Sequence, residues 1–214
     1  MINALEASVG ESGALIMPSF PSGSEYELVR KDMVFDVSKT PSEMGMITES
    51  FRKMECIRRS LHPTHSLAGW GSKSKEILNG HEKCTVSCGT ASPFEKLCEQ
   101  RGKILLIGVD HRVNTTLHYL ENVNGAPTLS CFLFHPKVVD YDGKEIKVPT
   151  YPHLPGLPRV YQKVEPTLIE NGIQRQIKIG ASTLRLVEAL DMARLIGGII
   201  REDPLFLIEP WKPP

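Results

Sequence analysis

The order of apolar and polar positions predicts an α/β chain in which helices lead through tight turns into short buried strands. Ile2 to Val9 reads as the end of a helix with Leu5 and Val9 on one face, and Gly10 to Gly13 turn into the apolar run Ala14 to Met17, stopped at Pro18. Met44, Ile47, Phe51 and Met54 recur at helical spacing, so a helix is expected over 41–54 with Thr40 or Ser42 as its cap. A further helix begins with Ser92 as cap and Pro93 at the first helical position, turns Phe94, Leu97 and Cys98 inward, and ends before Gly102. Lys103 to Val109 is apolar on both faces, which predicts a central strand of a mainly parallel sheet. Asn114 or Thr115 caps a helix from Thr116 to about Asn122. Alternation from Thr128 to Lys147 predicts a β-hairpin turning at Asp142-Gly143, and 165–172 and 188–202 are expected helices. The first residues resemble a helix tail without its preceding strand, so one domain over 1–214 lacking an amino-terminal strand-loop unit is expected.

Composition narrows the function classes. The 25 Lys plus Arg balance 25 Asp plus Glu, which argues against a phosphate-driven nucleic-acid binder and supplies no global field for a polycation. The five cysteines are odd in number and the chain needs no staples, so reduced thiols in a cytoplasmic setting are expected. No apolar run reaches membrane-spanning length. Cys84 and Cys88 lack the second pair that a structural zinc site needs.

Three stretches could carry chemistry. The first runs from Val109 to Glu121, past the carboxyl end of a buried strand and into a helix start, where ligands bind in open α/β sheets. His118 falls in the first turn of that helix, where the dipole favours a neutral ring fit for a general base, and Glu121 stands three residues on to orient it. The plainer alternative is a core histidine and a solvated glutamate at ordinary helical spacing. The second stretch is Arg58 to Ser66, where arginines suit phosphate and His62 and His65 alternate with hydroxyls. A metal there would need His81 or Glu82 as a further ligand, whereas a structural loop needs only hydrogen-bonded histidines. The third is the small-residue loop Cys88 to Pro93, which opens onto a helix start. No Walker or paired-glycine dinucleotide fingerprint occurs.

Taken in order, Gly13-Ala14-Leu15-Ile16-Met17-Pro18-Ser19-Phe20, Phe35-Asp36, Thr40-Pro41-Ser42, Met44-Gly45, Arg59 to Ser66, His81-Glu82, Ser92-Pro93 and Asn114-Thr115-Thr116-Leu117-His118 with Glu121 resemble the antibiotic N-acetyltransferase family, best known for aminoglycoside 3-N-acetyltransferases. The match runs from Ile2 to Glu121 and returns weakly at Ile179-Gly180-Ala181.

The resemblance implies an aminoglycoside 3-N-acetyltransferase-like α/β sandwich with an added hairpin, acetyl-coenzyme A as cosubstrate, and no metal. It implies His118 as the general base with Glu121 beside it. It implies coenzyme A contacts from Arg59, Ser60, His62, Ser66, Ser92 and Phe94, and acceptor contacts from Thr40, Ser42, His65, Asn114 and Thr115. Nucleic-acid and membrane partners are not expected, and a homodimer is allowed. Two departures bear on activity. The family's amino-terminal His-Ser-Ser-like loop precedes the point where this sequence starts. The acidic cluster that holds aminoglycoside ammonium groups is replaced by Tyr151 to Arg159, which contains no acid. A catalytically silent relative that binds a ligand or partner is the rival reading.

Overall fold

The computed structural model describes residues 1–30 and 33–209. Their contacts group into two compact units, one built from the described residues of 1–93 and 129–155 and the other from 94–128 and 156–209.

In the first unit, helix α1 (Ile2–Val9) leads into strand β1 (Leu15–Pro18), as the apolar pattern predicts. Strand β1 pairs antiparallel with β4 (Leu67–Trp70), which in turn pairs antiparallel with β3 (Arg58–Arg59). Gly69 sits in β4 because a Cβ there would come within 2.7 Å of Ile16 Cδ1 and 2.9 Å of Leu78 Cδ1 at the end of helix α4 (Ser74–Leu78). Met17, Phe51 and Ala68 form one core cluster, with Ile2, Leu5 and Trp70 packed on it. A second sheet joins β2 (Val34–Asp36) in parallel to β6 (Lys137–Val139), which forms the expected hairpin with β7 (Glu145–Lys147). Phe35, Val37, Val138 and Val148 bury their side chains there. Helix α2 (Glu25–Arg30), unforeseen from the sequence, places Glu25 inside this unit.

Helix α3 covers only Met46–Arg52, not 41–54. Gly45 at φ 107° interrupts the helical path, and the Ser42 N–H is taken by the Glu49 carboxylate at 2.8 Å. Thr40 likewise accepts from the Asp36 N–H at 2.9 Å and so closes a turn rather than capping a helix.

The second unit contains most of α5 (Pro93–Glu99), β5 (Lys103–Ile107), α6 (Thr116–Val123), α7 (Val164–Glu170), the hairpin β8 (Gln174–Ile179) and β9 (Ser182–Glu188), and α8 (Ala189–Glu202). Strand β5 pairs antiparallel with β9 and β9 with β8. Among the described residues, β2 with β6 is the one parallel pair, so the expected mainly parallel sheet is replaced by mixed and antiparallel ladders. The expected central position of β5 changes with it. The strand takes a ladder along one edge only among these residues, and Leu105 and Ile107, two apart and so on one face, are exposed. Helix α8 is amphipathic, burying Ala189, Met192, Ile196 and Ile200 at three- and four-residue spacing. Gly197 lets it approach α6, since a Cβ there would meet the Asn124 side chain at 2.9 Å. No helix among the described residues is long and apolar enough to cross a membrane.

Candidate functional site

The second unit holds the most developed chemistry. Asp110 caps a short 3-10 turn at His111–Val113 by accepting from the Arg112 N–H, and the chain then enters α6. Asn114 is buried, with its Oδ1 on the Thr116 N–H at 3.2 Å and its amide nitrogen on His111 Nδ1 at 3.1 Å. It therefore shapes the helix start. Thr115 occupies the cap position of α6 without a side-chain cap bond.

From the first turn of α6, His118 projects so that its side chain is 22% exposed, whereas that of Glu121 one turn on is 1% exposed. Tyr161 reaches between them from the second segment of the unit. Its hydroxyl lies 2.7 Å from His118 Nδ1 and 2.6 Å from Glu121 Oε2, while the direct His118–Glu121 separation is 3.3 Å. A tyrosine has one proton. Given to the carboxylate, it leaves the phenolic oxygen to accept from His118 Nδ1–H, so the ring's basic lone pair falls on Nε2. Arg159 adds a guanidinium whose Nε stands 3.6 Å from Glu121 Oε2. Burial alone raises the pKa of Glu121. The hydrogen bond and charge of His118, the Tyr161 hydroxyl and the Arg159 charge outweigh burial and hold the carboxyl below its ordinary value. Glu121 is thus held as an anion beside the His118 ring. A cleft of about 440 Å³ opens in the same unit at the carboxyl end of β5, lined by Val109, Asp110, Arg112, Ser182 and Arg185. His118 is not part of its wall.

The residues expected to touch coenzyme A are placed inward. Arg59 is buried, donating to Ser66 Oγ at 3.0 Å, to the Thr40 carbonyl at 2.5 Å and to the Ser19 carbonyl, with its guanidinium over the Phe35 ring. Burial, helped by Arg52, pulls its pKa down to about 9. The guanidinium fork holds two backbone segments together, so it does not face solvent as a phosphate ligand would. Ser60 bonds His81 Nδ1 at 2.8 Å and the Leu67 N–H at 2.9 Å, and Ser66 donates to the Ser19 carbonyl. Ser92 and Phe94 are buried. Of the expected acceptor contacts, Ser42 and Thr40 serve the turn before α3.

His62, His65 and His81 do not converge on one point. His62 and His81 stack at 4.7 Å, and both nitrogens of His81 are taken, by Ser60 Oγ and the Ser87 carbonyl. His62 is enclosed, and burial pushes its pKa down to about 4. His65 joins a different group with Glu25 and His153, for which the sequence offered no local signal. Tyr161, Arg159, Glu25 and His153 are polar residues of these groups that sequence reasoning missed or left without a role.

Comparison with known proteins gives a consistent result. Residues 1–198 match the family described as aminoglycoside 3-N-acetyltransferase. Aminoglycoside N(3)-acetyltransferase IV of Salmonella is 28% identical over 98% of this chain and 76% of its own length. A prophage-derived aminoglycoside N(3′)-acetyltransferase-like protein of Bacillus subtilis is 32% identical over 56% of this chain and 50% of its own. The crystal structure of aminoglycoside acetyltransferase AAC(3)-IVa in complex with a gentamicin matches with a TM-score of 0.80 at 27% identity, over 98% of this chain and 76% of that one.

Proposed function

The chain belongs to the aminoglycoside 3-N-acetyltransferase family, and we propose that it transfers the acetyl group of acetyl-coenzyme A to an amine with His118 as general base. The observation that carries this reading is the hydroxyl-bridged arrangement of His118 Nδ1, Tyr161 and Glu121. Tyr161 and Glu121 fix the tautomer, and Nε2 takes the proton from the acceptor nitrogen as that nitrogen attacks the thioester carbonyl. The N–C bond forms, the C–S bond breaks on collapse of the tetrahedral intermediate, and the coenzyme leaves as its thiol after receiving a proton. Glu121 stabilises the imidazolium while the proton is held, and the Tyr161 hydroxyl and the Arg159 charge help to keep that carboxylate ionised.

Within this reading, the acceptor is a small amine. Relatives are named for aminoglycosides, but the absence of acid in 151–159 removes local attraction for such polycations worth on the order of 4 kcal/mol per close charge pair at an effective dielectric near 20. Monoamines and weakly charged amines should therefore outcompete gentamicin-like polycations. A thiol-release assay with acetyl-coenzyme A across an amine panel tests both points. Preference for gentamicin-like compounds would overturn the acceptor assignment, and absence of turnover with every amine would overturn the enzyme assignment in favour of a silent binding protein.

A further inference from the structure

The first unit gathers a second histidine–carboxylate group that the acetyl-transfer chemistry does not use. Glu25 at the start of α2, His65 in the loop before β4 and His153 in the acid-free segment 151–159 place one ligand atom each within 4.8 Å of one another. The three side chains are 7%, 14% and 8% exposed. His65 Nδ1 stands 3.4 Å from Glu25 Oε1, and His153 Nδ1 stands 2.5 Å from Glu25 Oε2. Tetrahedral zinc ligands at about 2.0–2.1 Å from the metal lie roughly 3.3 Å apart. The first pair already has that spacing, and the second reaches it by opening less than about 1 Å. Outer contacts hold the carboxylate in place: Thr64 Oγ1 at 2.7 Å, Ser87 Oγ at 2.8 Å and the His153 N–H at 2.8 Å. Such partners orient metal-bound carboxylates.

We propose that Glu25, His65 and His153 form a site for one divalent cation of the zinc class, bound through two imidazole nitrogens and one carboxylate. Two imidazoles with one carboxylate suit zinc, cobalt and their neighbours better than magnesium or calcium, which take oxygen donors. The three ligands come from segments far apart in sequence, so the cation would clip the first unit together. It would take the place of the direct His153 Nδ1–Glu25 Oε2 hydrogen bond.

The test is titration of chelator-treated protein with Co2+ and Zn2+, read by calorimetry, by the visible cobalt spectrum and by melting temperature. One equivalent should bind, with tetrahedral cobalt bands and a raised Tm. Ser87→Ala should weaken binding by about 10- to 100-fold, the usual cost of losing an outer partner. His65→Asn and His153→Asn should weaken it more, and His135→Gln, at an exposed position, should change nothing. X-ray absorption of the wild-type zinc complex should count two imidazoles, a reading that needs no variant to fold. Failure of the wild type to bind one equivalent, fewer than two imidazoles, or unchanged affinity in folded His65 and His153 variants would overturn the site. None of these readouts depends on acetyl transfer.

Discussion

The two units each contain a histidine joined to a buried carboxylate through a hydroxyl, and the surroundings separate what the two groups can do. In the second unit Tyr161 bridges His118 to Glu121. In the first, Ser87 bridges His65 to Glu25, with 2.8 Å on either side. The carboxylates differ in how fully they are engaged. Glu121 takes His118 and Tyr161 on Oε2 and has Arg159 at ion-pair distance, and its Oε1 has no protein hydrogen bond. Glu25 receives Thr64, Ser87, the His153 backbone and two imidazoles. Burial raises the Glu25 pKa, but the two histidines outweigh it and hold the carboxyl well below 4.5. For His65, burial works against the charge, yet Cys88 and Glu25 outweigh it and raise its pKa. The same pair of residue types is therefore locked as an ion pair in one unit. In the other it ends on a histidine that reaches solvent from a helix start. A proton can be moved where one partner faces solvent, and it is held where both are enclosed.

The sharpest way to break this contrast is His118→Ala. Loss of a general base costs about 10²- to 10⁴-fold in rate, and the loss should fall on kcat with KM little changed. Thermal melting should shift little, because the His118 side chain is 22% exposed. Full activity with a lowered Tm would make His118 a packing residue and dissolve the difference between the units.

The two groups were unequally legible in the sequence. His118 and Glu121 stand three apart on one helix, so periodicity alone brings them together. Tyr161 lies 40 residues from Glu121 and His153 lies 128 from Glu25, and contacts of that range leave no local signature. Helices α5 and α6 were readable from their inward faces, as was the turn of the β6–β7 hairpin, but the expected Ser92 cap does not form: its buried hydroxyl has no partner among the described residues. Strand β4 was not, because Leu67-Ala68-Gly69-Trp70 is short and contains a glycine needed for close packing rather than for a turn. The apolar run of β5 suggested burial on both sides. Its actual partner β9 carries charges at Arg185 and Glu188 and belongs to a hairpin whose edge strand is largely exposed. Family resemblance, not periodicity, is what singled out His118 over His62, His65 and His81 as the expected base.

A second, smaller effect concerns acid. His62 is held neutral, with its pKa lowered to about 4 from the ordinary 6.5. The unfolded chain therefore binds its proton first, so stability falls as pH drops from about 6.5 towards 4, by on the order of 3 kcal/mol at most. His65 has a raised pKa, so its stabilising charge is already fully present below 6.5 and adds no slope in that window. Glu25 loses its contribution only below the ordinary carboxylate range. His111, whose pKa burial lowers, acts in the same direction as His62 from the second unit. Denaturant melts across pH 4 to 7 should show this slope, and a folded His62→Gln variant should flatten it. An unchanged slope would mean that His62 takes its proton in the folded state.

The smallest effect is the most discriminating for the second unit. Tyr161→Phe removes one hydroxyl from between His118 and Glu121 while keeping the ring that packs in that core, where Tyr161 is 4% exposed. Two outcomes are separable because the direct His118–Glu121 distance is 3.3 Å, short enough for the carboxylate to hold the imidazole unaided. If the hydroxyl sets the tautomer, losing it leaves a weaker and less directional bond to Nδ1. The rate should then fall by about tenfold, the equivalent of one net hydrogen bond of about 1.4 kcal/mol. The loss should appear in kcat, and the acid limb of the pH–rate profile should move, since the group that stabilises the imidazolium has changed. Glu121→Gln tests the same chain at its far end. It keeps the shape but removes the charge, so it should lower the pKa on the acid limb further than Tyr161→Phe does. A Tyr161→Phe enzyme with wild-type kcat and an unmoved limb would reduce the hydroxyl to a satisfied core group. Glu121 would then orient His118 alone.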